Sequence, residues 1–175
     1  MMNFFEDAAP PQIAKIIRSP DPLPFFYTST DAPLLFLAGS IEQGTADEWQ
    51  AETISELSDQ YVTILDPRRD NWDTTISDDL DRLREQVTWE LTGLQEADCV
   101  LMHFDPKTKS PISLLELGLL IGSDTTVFVS CSPEFYRYGN VKITCEMYDV
   151  PVYNSLSDAL VEIKKFLHGY NEVAK

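Results

Sequence analysis

From Pro33 onward the chain alternates five times between a short apolar run and a stretch of helical period. That alternation leaves few folds open. The runs are residues 34–38, 61–65, 99–104, 126–131 and 150–153; the intervening and closing stretches are 45–58, 77–96, 111–122, 140–148 and 156–167. Continuous apolar runs rather than every-other-residue patterns fit strands covered on both faces. Strand–helix repetition of this kind predicts an α/β fold with a parallel sheet and helices on both sides. Right-handed crossovers then favour a single flavodoxin- and Rossmann-like domain, a five-stranded parallel sheet of order 2-1-3-4-5. Within it, Thr45-Ala46-Asp47-Glu48 reads as a capping box opening the first helix. Leu80, Leu83, Val87, Leu91 and Leu94 read as the buried stripe of the second.

Residues 1–32 differ. Pro10, Pro11, Pro20, Pro22 and Pro24 punctuate them and leave room for one amphipathic turn through Ile13, Ile16 and Ile17. The expectation is an N-terminal arm, anchored by Phe25, Phe26 and Tyr27 or frayed, ahead of a domain spanning 33–175. Asp and Glu number 29 against 13 Lys and Arg, a formal charge of −16. So acidic a surface argues against nucleic-acid polymers and anionic membranes as partners. No apolar run approaches the roughly 20 residues a bilayer needs, and the first residues carry no basic signal region. Cys99, Cys131 and Cys145 are odd in number and widely spaced, as in a reduced, cytoplasmic protein. His103 and His168 are the only histidines, and no group of residues has metal-ligand spacing. Neither a metal nor a cofactor is expected.

In an open parallel sheet, ligands bind beyond the carboxyl ends of the strands, where the strand order reverses. Three segments follow those ends: 39–44, 66–73 and 105–116. Gly39-Ser40-Ile41 allows close backbone approach, although it lacks a dinucleotide fingerprint and a P-loop lysine, and Glu42 opposes phosphate. Glu116 is the only charge among aliphatic neighbours, a position that is either well paired or functional. Ser113-x-x-Glu116 also fits a capping box; alternatively Pro111 takes the first helical position, which makes Ser110 the cap and carries Glu116 into the second turn. Glu90 lies at the margin of the long helix's apolar stripe, either solvated or at the ligand. Arg68, Arg69 and Trp72 suit a planar or acidic ligand group, or else pair locally with Asp66, Asp70 or Asp73.

Leu37-Ala38-Gly39-Ser40-Ile41, the long helix with Trp89-Glu90, Ala97-Asp98 before the third strand, and Leu115-Glu116-Leu117-Gly118 together resemble the nucleoside 2-deoxyribosyltransferase family. Deoxynucleoside monophosphate N-glycosidases are its relatives. Asp66-Pro67-Arg68-Arg69 with Trp72, and Ser110-Pro111-Ile112, are similar to its transferase-like branch. The resemblance spans about residues 33–167. It implies that Glu116 attacks C1′ of a 2-deoxyribonucleoside, expels the base and holds the sugar as an ester. A second base or water would then take the sugar, with overall retention. It implies a supporting acid at Glu90, a small-molecule nucleoside or nucleobase partner and a homo-oligomer whose pockets borrow from a neighbour, with Tyr136 through Asn140 either such a borrowed segment or an ordinary loop and helix cap by Asn140. The implied substrate contacts are Gly39, Ser40, Ile41, Arg68, Arg69, Trp72, Ser110, Ser113 and Asn140.

The pattern is not complete. The tyrosine many members carry in the first strand is replaced here by Leu35 or Phe36. The acid some members place six residues before the nucleophile corresponds to Ser110, which cannot protonate a leaving base. The arginine that the monophosphate branch carries after its G-S-I corresponds to Glu42. Three readings follow: a deoxyribosyl transferase or hydrolase of nucleosides, a deoxynucleoside monophosphate N-glycosidase, and a non-catalytic nucleoside- or nucleotide-sensing module.

Overall fold

Strand residues alternate strictly between two buried clusters, and that alternation fixes the layering. Leu34, Phe36, Ala38, Val100, Met102 and Phe104 pack into one cluster; Leu35, Leu37, Cys99 and Leu101 pack into the other. A computed structural model describes residues 14–24, 32–42, 46–69 and 79–173. Its strands are β1 (Lys15–Arg18), β2 (Leu34–Gly39), β3 (Thr63–Asp66), β4 (Cys99–Phe104), β5 (Thr126–Cys131) and β6 (Val152–Tyr153). Its helices are α1 (Trp49–Glu56), α2 (Leu80–Glu96), α3 (Pro111–Leu120), α4 (Tyr138–Met147) and α5 (Leu156–Val173). The sheet order is β1-β3-β2-β4-β5-β6, and every pair is parallel. From β2 the chain steps first to β3 on one side and then across to β4 on the other. Constant crossover handedness therefore puts α1 and α2 on opposite faces. Trp89 of α2, Leu117 of α3 and Val141 of α4 lie in the first cluster; Trp49 of α1 and Ile163 of α5 lie in the second.

Four local expectations differ from what is observed. The sheet has six strands among the described residues, not five. The extra one is β1, in the segment expected to form only an amphipathic turn. Lys15–Arg18 pairs in register with Thr63–Asp66, burying Ile17 at 7% exposure while Ile16 stays 37% exposed. An edge strand needs neighbours on one side only, so its composition is half polar and carries a weak signal. The predicted anchors Phe25, Phe26 and Tyr27 lie outside the described residues.

The helix expected from Thr45 begins instead at Trp49, with Glu48 at its N-cap and no side-chain cap. The helix α2 is capped by Asp79, whose carboxylate accepts from the amides of Asp81 and Arg82. Its buried face is Gln86, Trp89, Gly93 and Leu94. Leu80, Val87 and Leu91 of the expected stripe are exposed. The helix is turned so that the face holding Gln86, Trp89, Gly93 and Leu94, rather than the full leucine stripe, packs inward.

Candidate active site

The β2–β4 contact leaves no room for a side chain at the strand end. A Cβ on Gly39, whose φ is +138°, would sit 2.1 Å from the His103 carbonyl oxygen. There the chain leaves the sheet, and a cavity of about 620 Å³ opens between α2 and α3. Phe36, Ala38, Gly39, Ile41 and Glu42 form one side; Leu83, Gln86, Val87 and Glu90 come from α2; Ser110, Ser113 and Glu116 come from the start of α3, with Pro67 from the end of β3. Of Leu35 and Phe36, Phe36 is the one at the cavity; Leu35 is fully buried on the opposite face.

Pro111 is the first residue of α3 and Ser110 its N-cap. Glu116 therefore sits in the second turn, and a Ser113–Glu116 capping box is not what the helix uses. The Glu116 side chain lines the cavity in a residue only 8% exposed. Loss of water, and then the charge of Glu90, push its carboxyl up to about 8. Glu90 is also raised by burial, but its Oε1 accepts from Gln86 Nε2 at 2.6 Å, and that bond together with the Arg69 guanidinium pulls it back. The two acids thus differ in environment: Glu90 has partners that favour its anion, whereas Glu116 faces desolvation and a like charge. Such divergence is the usual sign of paired acids with separate roles.

The loop behind the cavity is held by buried hydroxyls. Ser40 is fully buried, and its Oγ lies 2.6 Å from Ser110 Oγ. It also accepts from the Asp105 amide at 2.9 Å and from Thr108 Oγ1 at 2.9 Å. Ser110 and Glu42 both adopt left-handed backbone, with φ of 45° and 46°. One Glu42 carboxylate oxygen accepts from the amides of Lys109 and Ser110 at 3.0 and 2.9 Å. Two adjacent amides before a helix form a ready anion nest, and here the protein's own carboxylate fills it.

The expected contacts therefore divide. Gly39, Ile41, Ser110, Ser113, Glu90 and Glu116 come together around the cavity. Ser40 stands behind it as part of the hydroxyl cluster. Arg68 is committed elsewhere: its guanidinium donates to the carbonyls of Ala46 and Asp47 and to Gln50 Oε1, at 3.0–3.2 Å. Arg69 acts on Glu90 by charge, while its buried Nε and Nη2 have no hydrogen-bond acceptor among the described residues. Asn140 is exposed in the first turn of α4 and does not line the cavity. Trp72 lies outside the described residues.

Asp105 and Thr108 fall in the segment 105–116 but were not singled out, Gln86 was not expected at all, and each is more than nine-tenths buried. Gln86 did carry a sequence signal: it precedes Glu90 by four residues, the spacing that brings two side chains together on a helix. Among the described residues no helix is long and apolar enough to cross a membrane. No curated protein matches the chain. Residues 32–135 match the family model described as nucleoside 2-deoxyribosyltransferase like, over more than half of the length. With the parallel sheet and the cavity at its switch point, the chain belongs to the nucleoside 2-deoxyribosyltransferase-like family.

Proposed function

We propose that the protein cleaves the N-glycosidic bond of 2-deoxyribonucleosides through a covalent ester on Glu116, passing the sugar to another base or to water. The observation that carries this reading is a buried carboxylate, alone on its helix, facing a second acid across a cavity of nucleoside size. In the first step Glu116 gives up its proton, one of its oxygens bonds to C1′, the C1′–N bond breaks, and the electron pair leaves with the base, which takes up that proton. In the second step a nitrogen of an incoming base, or a water oxygen, attacks C1′ from the opposite face, the bond from C1′ to the Glu116 oxygen breaks, and the proton lost by the incoming group returns to Glu116. Two inversions give retention. Glu90 sits beside the nucleophile and the sugar hydroxyls, and Gly39, Ile41, Ser110 and Ser113 line the substrate.

Glu42 supports a nucleoside over a monophosphate. A 5′-phosphate would meet a carboxylate already bonded to the Lys109 and Ser110 amides. A nucleoside-sensing role is the second reading, favoured by Ser110, whose hydroxyl is engaged with Ser40 and Thr108 and supplies no acid for the leaving base. The two are separated by Glu116→Ala. Base release from deoxynucleosides should fall to background, with nucleoside binding retained. Full activity in that variant overturns the assignment of Glu116.

The same reading includes a homo-oligomer. Ile112, Leu115 and Leu119 are 61%, 62% and 58% exposed along one side of α3, beside the cavity mouth that Ile112 lines. Contiguous exposed apolar side chains of this kind are typical of contact surfaces.

A further inference from the structure

The residues before the family-matched segment reach the carboxylate pair through one side chain. After β1 the chain turns at Ser19, whose amide donates to the Asp66 carbonyl at 3.0 Å. Its hydroxyl donates to Gln86 Oε1 at 2.9 Å. Gln86 Nε2 in turn donates to Glu90 Oε1 at 2.6 Å and lies 3.4 Å from the Pro67 carbonyl oxygen. Two residues further along the turn, the Asp21 carbonyl accepts from Trp89 Nε1 at 2.8 Å. Ser19 and Gln86 are 5% and 3% exposed, so water does not substitute for either partner.

The orientation of the Gln86 amide is dictated by chemistry. A backbone carbonyl only accepts hydrogen bonds, so the NH₂ group must face Pro67, and on that side it also meets Glu90 Oε1. Only the carbonyl end then remains for Ser19, whose O–H donates to it. A flipped amide would set oxygen against oxygen at Glu90.

We propose that Gln86 is a positioning residue for the carboxylate pair, aiming Glu90 into the cavity and tying that aim, through Ser19, to the turn that follows β1. The carboxylate pair is taken from the proposed function, but the link itself is a hydrogen-bonded chain that does not depend on turnover. Burial raises Glu90, while the Gln86 amide and the Arg69 guanidinium favour its anion; the charge of Glu90 in turn raises Glu116. Glu42 lines the same cavity.

The test is a carboxyl-carbon NMR titration of Glu90, with its resonance assigned by its disappearance in Glu90→Gln. In Gln86→Leu the midpoint should rise by roughly one to two pH units, the size expected when a carboxylate loses a buried charge-assisted hydrogen bond. Because that variant strands the Ser19 hydroxyl, the double variant Ser19→Ala with Gln86→Leu removes both polar partners at once and keeps the packing apolar. It should show the same rise. Ser19→Ala alone should give a smaller shift in the same direction. A Glu90 midpoint unmoved in the folded double variant overturns the positioning role; one unmoved in Ser19→Ala breaks the link to the turn. Failure to release base from any deoxynucleoside would instead count against the proposed reaction, and leaves the titration result standing.

Discussion

A carboxyl group that releases its proton near 8 is held neutral by its surroundings over most of the neutral range, and Glu116 is such a group. Its folded value lies above the ordinary 4.5, so between those two values the folded chain binds more protons than the unfolded one. Stability linked to Glu116 is therefore full below about pH 4.5, declines as pH rises, and levels off above about 8. Glu116→Gln, permanently neutral, escapes that decline. It should match the wild type at pH 5 and exceed it by about 2–4 kcal/mol at pH 8.5, measured by denaturant unfolding at both pH values. An equal gap at both pH values would mean that Glu116 is not held neutral by burial. This residue was legible in the sequence because a single charge in an aliphatic run has no innocuous place to go. Arg68 was not: its acceptors are backbone carbonyls of Ala46 and Asp47, which no side-chain pattern reveals. Gln86 was missed because a neutral polar residue on a helix reads as solvated unless its spacing to Glu90 is weighed.

Elements carry the site by how closely they approach, and two glycines set those distances. At Gly39 a Cβ would press on the backbone of His103, in a backbone conformation that L side chains rarely adopt; β4 cannot yield without losing the Gly39–His103 register. At Gly93 a Cβ would come within 2.5 Å of the Phe36 ring, a side chain that can shift at some cost. Gly39→Ala should thus destabilise by about 3 kcal/mol or more. Gly93→Ala should cost about 1–2 kcal/mol, since overpacking is partly offset by the better helix propensity of alanine. Thermal melts of the two variants check this, and a Gly93→Ala loss larger than that of Gly39→Ala would contradict it. The strand order from β2 onward was readable because apolar runs and crossover rules restrict it tightly. The rotation of α2 was not, because Leu80, Val87 and Leu91 follow helical spacing yet remain exposed. Spacing shows that a helix has an apolar side, while tertiary packing decides which side meets the sheet. The edge strand β1 escaped for the related reason that three of its four residues face solvent.

For the whole molecule, the fold places a closed set of groups at one end of the sheet and leaves an apolar ridge on α3 beside them. If that ridge mediates self-association, light scattering at micromolar concentration gives a mass above the 19.9 kDa of one chain, and Leu115→Glu returns it to that value. A monomeric wild type would contradict the oligomer. The fold class and the switch-point cavity were both accessible from the alternation of strand and helix signals. The inner wiring of the cavity depends on long-range pairs such as Ser40–Ser110 and Glu42–Lys109, whose partners are 67 or more residues apart. The central claim is covalent glycosyl chemistry at Glu116, and intact-protein mass spectrometry after rapid acid quenching of the protein with each common deoxynucleoside tests it most directly. The expected result is a mass increase of one deoxyribosyl group, localised by peptide mapping to Glu116 and absent from Glu116→Ala. Base release without any adduct, or an adduct on another residue, would contradict it.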